Sequence, residues 1–173
     1  MNPPVAKAAP RIVAPSGAPA ETEALGERLA QALPDGVVVG LVGPLGAGKT
    51  CLVRGMARAL GIEDSEVTSP SFVYLVSYGP GGGDLPLLHH GDLFRIPPLD
   101  DGAMERALAE IGLFAAMEDA CPAVVEWWER FRGPLPEALV VVEFVIENTE
   151  HRSISLEFQG SRLARAAARM GAA

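Results

Sequence analysis

The chain has 173 residues, enough for one domain with a substantial buried core. Its formal charge of -8 excludes a protein that coats nucleic acid with a basic surface, while leaving room for a local basic patch or for recruitment to RNA by a partner. Cys51 and Cys121 match neither a metal-ligand nor a CxxC spacing, no apolar run nears the ~20 residues that span a bilayer, and the proline-rich start lacks a signal-peptide core, so a reducing cytoplasm is expected.

Residues 1–10 are rich in proline and alanine and are expected to be a disordered tail. Arg11-Ile12-Val13-Ala14 reads as a short edge strand and residues 16–20 as a turn-rich link. A helix is expected from Glu21, with Leu25, Leu29, Ala32 and Leu33 on one stripe and Glu21 and Glu23 in its first turn. Pro34-Asp35-Gly36 ends it and leads into Val37-Val38-Val39-Gly40-Leu41-Val42, an apolar run typical of a strand buried on both faces. Gly43-Pro44-Leu45-Gly46-Ala47-Gly48-Lys49-Thr50 follows, and then a helical pattern to Leu60 with Leu52, Val53, Met56 and Ala59 on its apolar face.

Gly-x-x-x-x-Gly-Lys-Thr between a strand and a helix is the phosphate-binding loop in its proper context. Backbone N–H groups of the glycine-rich turn form an anion nest, and the helix adds its own unpaired N–H groups and dipole. In such a loop the lysine, Lys49, reaches the β- and γ-phosphates, and the hydroxyl, Thr50, ligates Mg²⁺. Gly43, Gly46, Ala47, Gly48, Lys49, Thr50 and Cys51 are therefore the candidate nucleotide-binding residues. Cys51 also reads as a small buried helix residue.

Beyond Gly61, residues 66–71 read as a loop, and Phe72 to Tyr78 and Leu85 to Asp92 as strands joined by a glycine-rich turn at residues 79–84, an antiparallel hairpin. A helix carrying Met104, Leu108 and Ile111 breaks near Gly112. Ala123 to Trp127 is a short strand, Leu139 to Ile146 and Ser153 to Phe158 a second hairpin, and Ser161 to Met170 a basic amphipathic helix with Arg162, Arg165 and Arg169. The sum is an α/β fold, a P-loop NTPase with a mixed parallel and antiparallel sheet flanked by helices, occupying residues 11–160, followed by a C-terminal helix and tail over 161–173.

A phosphate loop needs an acid near the metal, usually at the end of an apolar strand. Two fit: Glu126 after Ala123-Val124-Val125, and Asp92 at the end of the preceding strand. His90 shares a face with Asp92, so it either helps to hold a metal-bound water or only packs; His89 faces the other way and reads as structural, and His151 as a solvated turn residue. Thr68-Ser69-Pro70-Ser71 has the placement of a switch loop that senses the γ-phosphate, or is a plain hydroxyl-rich turn. Arg95 is either a cation for developing phosphate charge or a surface ion-pair partner. Trp127 and Trp128 alternate, so that one packs inward while the other flanks the nucleotide.

Four segments in this order, the loop Gly43–Thr50, Thr68-Ser69-Pro70-Ser71-Phe72, His90-Gly91-Asp92-Leu93-Phe94-Arg95 and Val125-Glu126-Trp127, resemble the TsaE family. Leu25-Gly26-Glu27 and Glu110-Ile111-Gly112 are also similar to it, and the likeness runs from about Arg11 to Phe158. The resemblance implies an ATPase that binds ATP with Mg²⁺ and serves formation of N6-threonylcarbamoyladenosine at position 37 of tRNAs reading ANN codons. It implies action on the complex of TsaB with the transferase TsaD, with tRNA held by those partners and no membrane. It also implies Lys49, Asp92 and Glu126 as catalytic residues, Thr50, Asp92 and Glu126 as the metal set, Thr68 and Ser69 in the switch-like loop and Trp127 beside the nucleotide. One departure stands out: Pro44 occupies a place where the family often has aspartate. A small-molecule P-loop kinase and a nucleotide-gated binding module are the alternatives, although no Arg-rich lid occurs between Phe94 and Ala123.

Overall fold

The loop-bearing strand is β2 (Val38–Val42), and it runs between β5 (Ala123–Glu126) and β6 (Leu139–Ile146), parallel to both. The structure is a computed structural model that describes residues 9–79, 87–97 and 99–172. With β1 (Arg11–Ser16), β3 (Leu75–Tyr78), β4 (Leu88–Asp92) and β7 (Arg152–Gln159), the seven-stranded sheet has the order β1-β7-β6-β2-β5-β4-β3. Its centre, β6-β2-β5-β4, is parallel, and antiparallel strands are added at both margins. This is the expected mixed α/β sheet, with both expected hairpins in place.

Helices cover both faces, which is why β2 is apolar at every position. Val39 and Leu41 pack with Leu25 and Leu29 of α1 (Pro19–Ala32), Leu52, Val53 and Met56 of α2 (Lys49–Ala59), and Ala166 and Met170 of α5 (Ala164–Gly171). Val38 and Val125 pack on the other side with Leu108 of α3 (Asp101–Glu110), Leu113 of α4 (Leu113–Glu118), Trp128 and Phe131. Helices α1 and α2 cross backbone against backbone: a Cβ at Gly26 would lie 2.2 Å from Leu52 O, and one at Gly55 1.9 Å from Glu23 O. Arg58 of α2 clamps the same crossing from outside, bonded to Glu23, Glu27 and Asp64.

Several boundaries differ from the sequence expectation. Helix α1 opens at Pro19, two residues early, because proline at the first helical position supplies the right φ and lacks an N–H that would go unpaired anyway. Strand β3 begins at Leu75, not Phe72. Residues 71–74 turn instead, with the Tyr74 N–H donating to Pro70 O at 2.7 Å and Tyr74 at φ 64°, so that Phe72 and Val73 are exposed. Local turn bonding overrides the β-propensity of Phe-Val-Tyr here. Strand β5 stops at Glu126, and Trp127 adopts a left-handed conformation at φ 60°. The C-terminal helix starts at Ala164, after a short 3-10 turn over Ser161–Leu163. The expected disorder of residues 1–10 and most of the glycine-rich turn at 79–84 lie outside the described residues; Pro10, which is described, accepts a hydrogen bond from the Phe158 N–H at 3.0 Å.

Candidate functional site

The site lies at the C-terminal ends of β2, β4 and β5, which register places side by side: Leu41 pairs with Glu126, and Glu126 with Asp92. After β2 the chain turns through Gly43, Gly46 and Gly48 at φ 145°, 76° and 105°, conformations that side chains rarely adopt. A Cβ on Gly43 would also approach Phe144 O to 2.9 Å. Helix α2 opens directly on this turn. Its first bond runs from Leu52 N to Gly48 O, so the N–H groups of Lys49, Thr50 and Cys51 precede the ladder, and these three residues line the cavity. Pro44 takes part through its carbonyl, which accepts from Ala47 N at 3.2 Å and from Lys49 Nζ at 2.9 Å. Both contacts are made by the carbonyl, which proline retains.

Lys49 is buried. Its ammonium donates to Gly43 O at 2.7 Å and Pro44 O, and sits 4.1 Å from the centre of the Trp127 ring. Burial pulls its pKa below the ordinary lysine value, against the opposing pull of the Glu126, Glu129 and Asp92 carboxylates. Among the described residues no carboxylate comes within ion-pair distance of it. Its charge is therefore met, among the described residues, by two carbonyls and a π-face.

Glu126 is buried opposite, and its Oε1 takes two bonds: from Thr50 Oγ1 at 2.8 Å and from His90 Nε2 at 3.0 Å. A carboxylate only accepts, so His90 donates from Nε2, and its Nδ1 lies 3.5 Å from the Tyr78 hydroxyl. That hydroxyl also lies 3.3 Å from Thr68 O. A buried chain of polar groups thus runs from the main chain of the switch-like loop to the acid beside the phosphate loop. Burial pushes the Tyr78 phenol up, which keeps it protonated as a donor.

Asp92 is buried, with each oxygen occupied. Oδ2 accepts from Ser69 Oγ and Ser71 Oγ, both at 2.5 Å, and Oδ1 from the Phe94 N–H at 2.8 Å. The hydroxyl loop is therefore pinned to the second acid. Phe94 and Trp127 lie 4.8 Å apart between ring centres, tilted by 34°, and wall one side, with the Arg130 guanidinium 5.4 Å from the Trp127 ring and bonded to Phe94 O. Residues of the loop, Ser69, Ser71, Asp92, Glu126 and Trp127 line one cavity of about 260 Å³.

Most of the residues singled out from the sequence come together here: Gly46, Ala47, Gly48, Lys49, Thr50, Cys51, Ser69, Asp92, Glu126 and Trp127 line this cavity, and Gly43 holds the lysine through its carbonyl. Burial pushes the Cys51 thiol up. The Thr68 side chain is exposed and outside the lining; Ser71 stands in the place expected of it. Arg95 stacks on the exposed Phe72 ring at 4.1 Å and is not part of the lining. Trp128 packs inward on Phe131 at 4.2 Å, as one tryptophan was expected to, but the left-handed turn at Trp127 separates the pair and not strand alternation. His89 faces away, bonded to Ser77 and Asp119. Ser71, Phe94, Tyr78 and Arg130 were not singled out. The first two lie inside segments already marked, Tyr78 lies in the strand expected from Phe72, and no sequence signal marks Arg130. A larger cavity, about 840 Å³, lies at the opposite ends of the parallel strands near Gly36, Asp119 and Ala138. It is remote from the loop, so size alone would misplace the site.

Among the described residues no helix is long and apolar enough to cross a membrane. The family model described as "Threonylcarbamoyl adenosine biosynthesis protein TsaE" matches residues 16–154. A TsaE protein of Treponema pallidum is 35% identical over 136 residues, 79% of this chain and 93% of that protein. One from Mycobacterium tuberculosis is 39% identical over 109 residues, where the match spans 63% of this chain and 64% of that relative. A crystal structure of YdiB from Bacillus subtilis superposes with a TM-score of 0.72 at 25% identity, covering 96% of this chain and 98% of that one. With the phosphate loop on a mixed sheet of this order, the fold is that of a P-loop NTPase, and the chain belongs to the TsaE family of tRNA threonylcarbamoyladenosine biosynthesis proteins.

Proposed function

We propose that this chain is a Mg²⁺-dependent ATPase whose hydrolysis serves N6-threonylcarbamoyladenosine formation at position 37 of tRNAs reading ANN codons, and that it acts in the cytoplasm on the TsaB–TsaD complex without itself transferring the threonylcarbamoyl group. The observation that carries the reading is the pairing of a buried, carboxylate-free Lys49 with Glu126, the latter fixed through one oxygen by Thr50 and His90. Lys49 exchanges its Gly43 and Pro44 carbonyls for phosphate oxygens, and the N–H groups at the start of α2 bind the same anion. A hydroxyl and two carboxylates are a hard oxygen set of the kind Mg²⁺ takes, so Thr50, Asp92 and Glu126 are the residues to hold it. Held there, such an ion would supply charge neutralisation to the phosphate groups. Glu126 spends Oε1 on its anchors, which leaves Oε2 to face the ion through a water and to orient the attacking water and accept its proton. Ser69 and Ser71, through Asp92, tie the state of the site to the loop over residues 68–71.

The chain's acidity suits this division of labour, since tRNA is then held by the partner proteins. The deciding experiment is reconstituted tRNA modification with and without this chain and ATP, alongside ATP hydrolysis by the chain alone and with TsaB–TsaD. Slow hydrolysis alone, a changed rate with the complex and dependence of modification on both additions are expected. Modification that proceeds equally without this chain overturns the proposal. The polar chain from Thr68 through Tyr78 and His90 to Glu126 also suits a nucleotide-gated module, in which occupancy alone controls docking. A hydrolysis-dead, binding-competent variant that still supports modification identifies that case.

A further inference from the structure

A second set of ligand-type side chains lies on the other face of β4 from His90. His89 Nε2 is 3.1 Å from Asp119 Oδ2, and Cys121 follows two residues later in the turn between α4 and β5; ligand atoms of His89, Asp119 and Cys121 all fall within 4.8 Å of one another. We propose that His89, Asp119 and Cys121 form a binding site for a divalent transition metal of the zinc type, with a fourth position open to solvent.

The donors are one imidazole nitrogen, one carboxylate oxygen and one sulfur, the set that borderline-soft Zn²⁺ takes and that Mg²⁺ does not. Thiolate and carboxylate together neutralise a dication. Zinc bonds of about 2.0–2.2 Å at tetrahedral angles put neighbouring nitrogen and oxygen ligands about 3.4 Å apart, close to the spacing of His89 and Asp119. The surrounding shell is built as well. Ser77 Oγ lies 2.7 Å from His89 Nδ1 and would accept a proton from it when Nε2 exchanges its bond to Asp119 for a metal. The other oxygen of Asp119 accepts from the Ala120 N–H, and the His89 N–H bonds Pro122 O at 3.0 Å, tying the strand to the turn that carries the other two ligands. Asp119 and Ala120 also line the 840 Å³ cavity, which provides entry and space for a fourth ligand. The site sits apart from the nucleotide cavity and stands whether or not the ATPase proposal does.

The test is titration of the full-length reduced, metal-free chain with Co²⁺ in the absence of nucleotide, followed by displacement with Zn²⁺. One Co²⁺ per chain is expected, with visible ligand-field bands and a thiolate-to-cobalt charge-transfer band that Zn²⁺ abolishes. The chain has two cysteines, and these discriminate the source. Cys121→Ser loses the charge-transfer band and Cys51→Ser keeps it. Ser77→Ala weakens Co²⁺ about 10- to 100-fold while keeping the band shape. Circular dichroism of the metal-free variants matching the parent shows that the loss is one of ligation. No charge-transfer band, a band that survives Cys121→Ser, or one lost with Cys51→Ser overturns the proposal.

Discussion

Glu126→Gln separates anchoring from chemistry at the proposed catalytic acid. The amide keeps an oxygen in the position that accepts from Thr50 at 2.8 Å and from His90 at 3.0 Å, so both bonds survive and stability should change by less than about 1 kcal/mol. What is lost is the carboxylate that accepts the proton of the attacking water. Removing a positioned base costs about 10²- to 10⁴-fold in rate, or ~2.7–5.4 kcal/mol of transition-state stabilisation. The negative charge facing Lys49 goes with it, so ATP affinity in the absence of Mg²⁺ should hold or rise. Glu126→Ala behaves differently. It leaves His90, which is 0% exposed, with no acceptor for its Nε2 proton, at a cost of about 1–3 kcal/mol in folding. Single-turnover hydrolysis, calorimetric titration with ATP and Mg²⁺, and thermal unfolding of the two variants measure these terms. A Glu126→Gln protein that hydrolyses ATP within about tenfold of the parent, or that loses as much stability as Glu126→Ala, refutes the reasoning.

Lys49→Ala should abolish measurable ATP binding in the same calorimetric titration; retained affinity removes the loop from the mechanism. Because burial lowers the Lys49 pKa, ATP affinity should be constant while the amine is charged and fall by up to tenfold per pH unit above that lowered value, earlier on the alkaline side than an ordinary lysine with pKa ~10.4 would allow. Lys49→Arg, charged throughout, should flatten the alkaline limb if it binds, and an unchanged limb assigns it to another group. Replacing Ser69 and Ser71 together by alanine strips two donors from Asp92 and should raise the Mg²⁺ needed for half-maximal hydrolysis about 10- to 100-fold, with nucleotide affinity in the absence of metal unchanged. Gly55→Ala drives a methyl into the Glu23 carbonyl of α1 and should destabilise by about 3 kcal/mol in chemical denaturation; a loss under 1 kcal/mol means that the helices separate without strain.

Local chemistry made much of this protein legible before folding. A phosphate loop is a contiguous device, in which strand, glycines, lysine and helix N-terminus are neighbours in sequence because the backbone itself binds the anion, and so Gly43 to Thr50 could be read directly. The two-sided burial of β2 and the alternation of β7 were likewise written in their residues. The switch-like segment was legible as a segment but not residue by residue. Whether Thr68 or Ser71 turns toward Asp92 depends on the tight turn at Tyr74, whose Phe-Val-Tyr context reads as strand.

What the sequence by itself determined was the loop, the approximate sheet class and the pair of acids at strand ends. Only the tertiary structure decided their division of labour. Glu126 meets Thr50 because β5 lies beside β2 in the sheet, 76 residues away along the chain, and the register of β4 against β5 then brings His90 within reach of the same oxygen. His89, Asp119 and Cys121 obey the same logic, since no spacing rule joins residues that a strand and a distant turn bring together. Backbone propensity and periodicity are properties of neighbours in sequence, whereas hydrogen bonds and ligand sets between strands depend on sheet order, which the whole core selects at once.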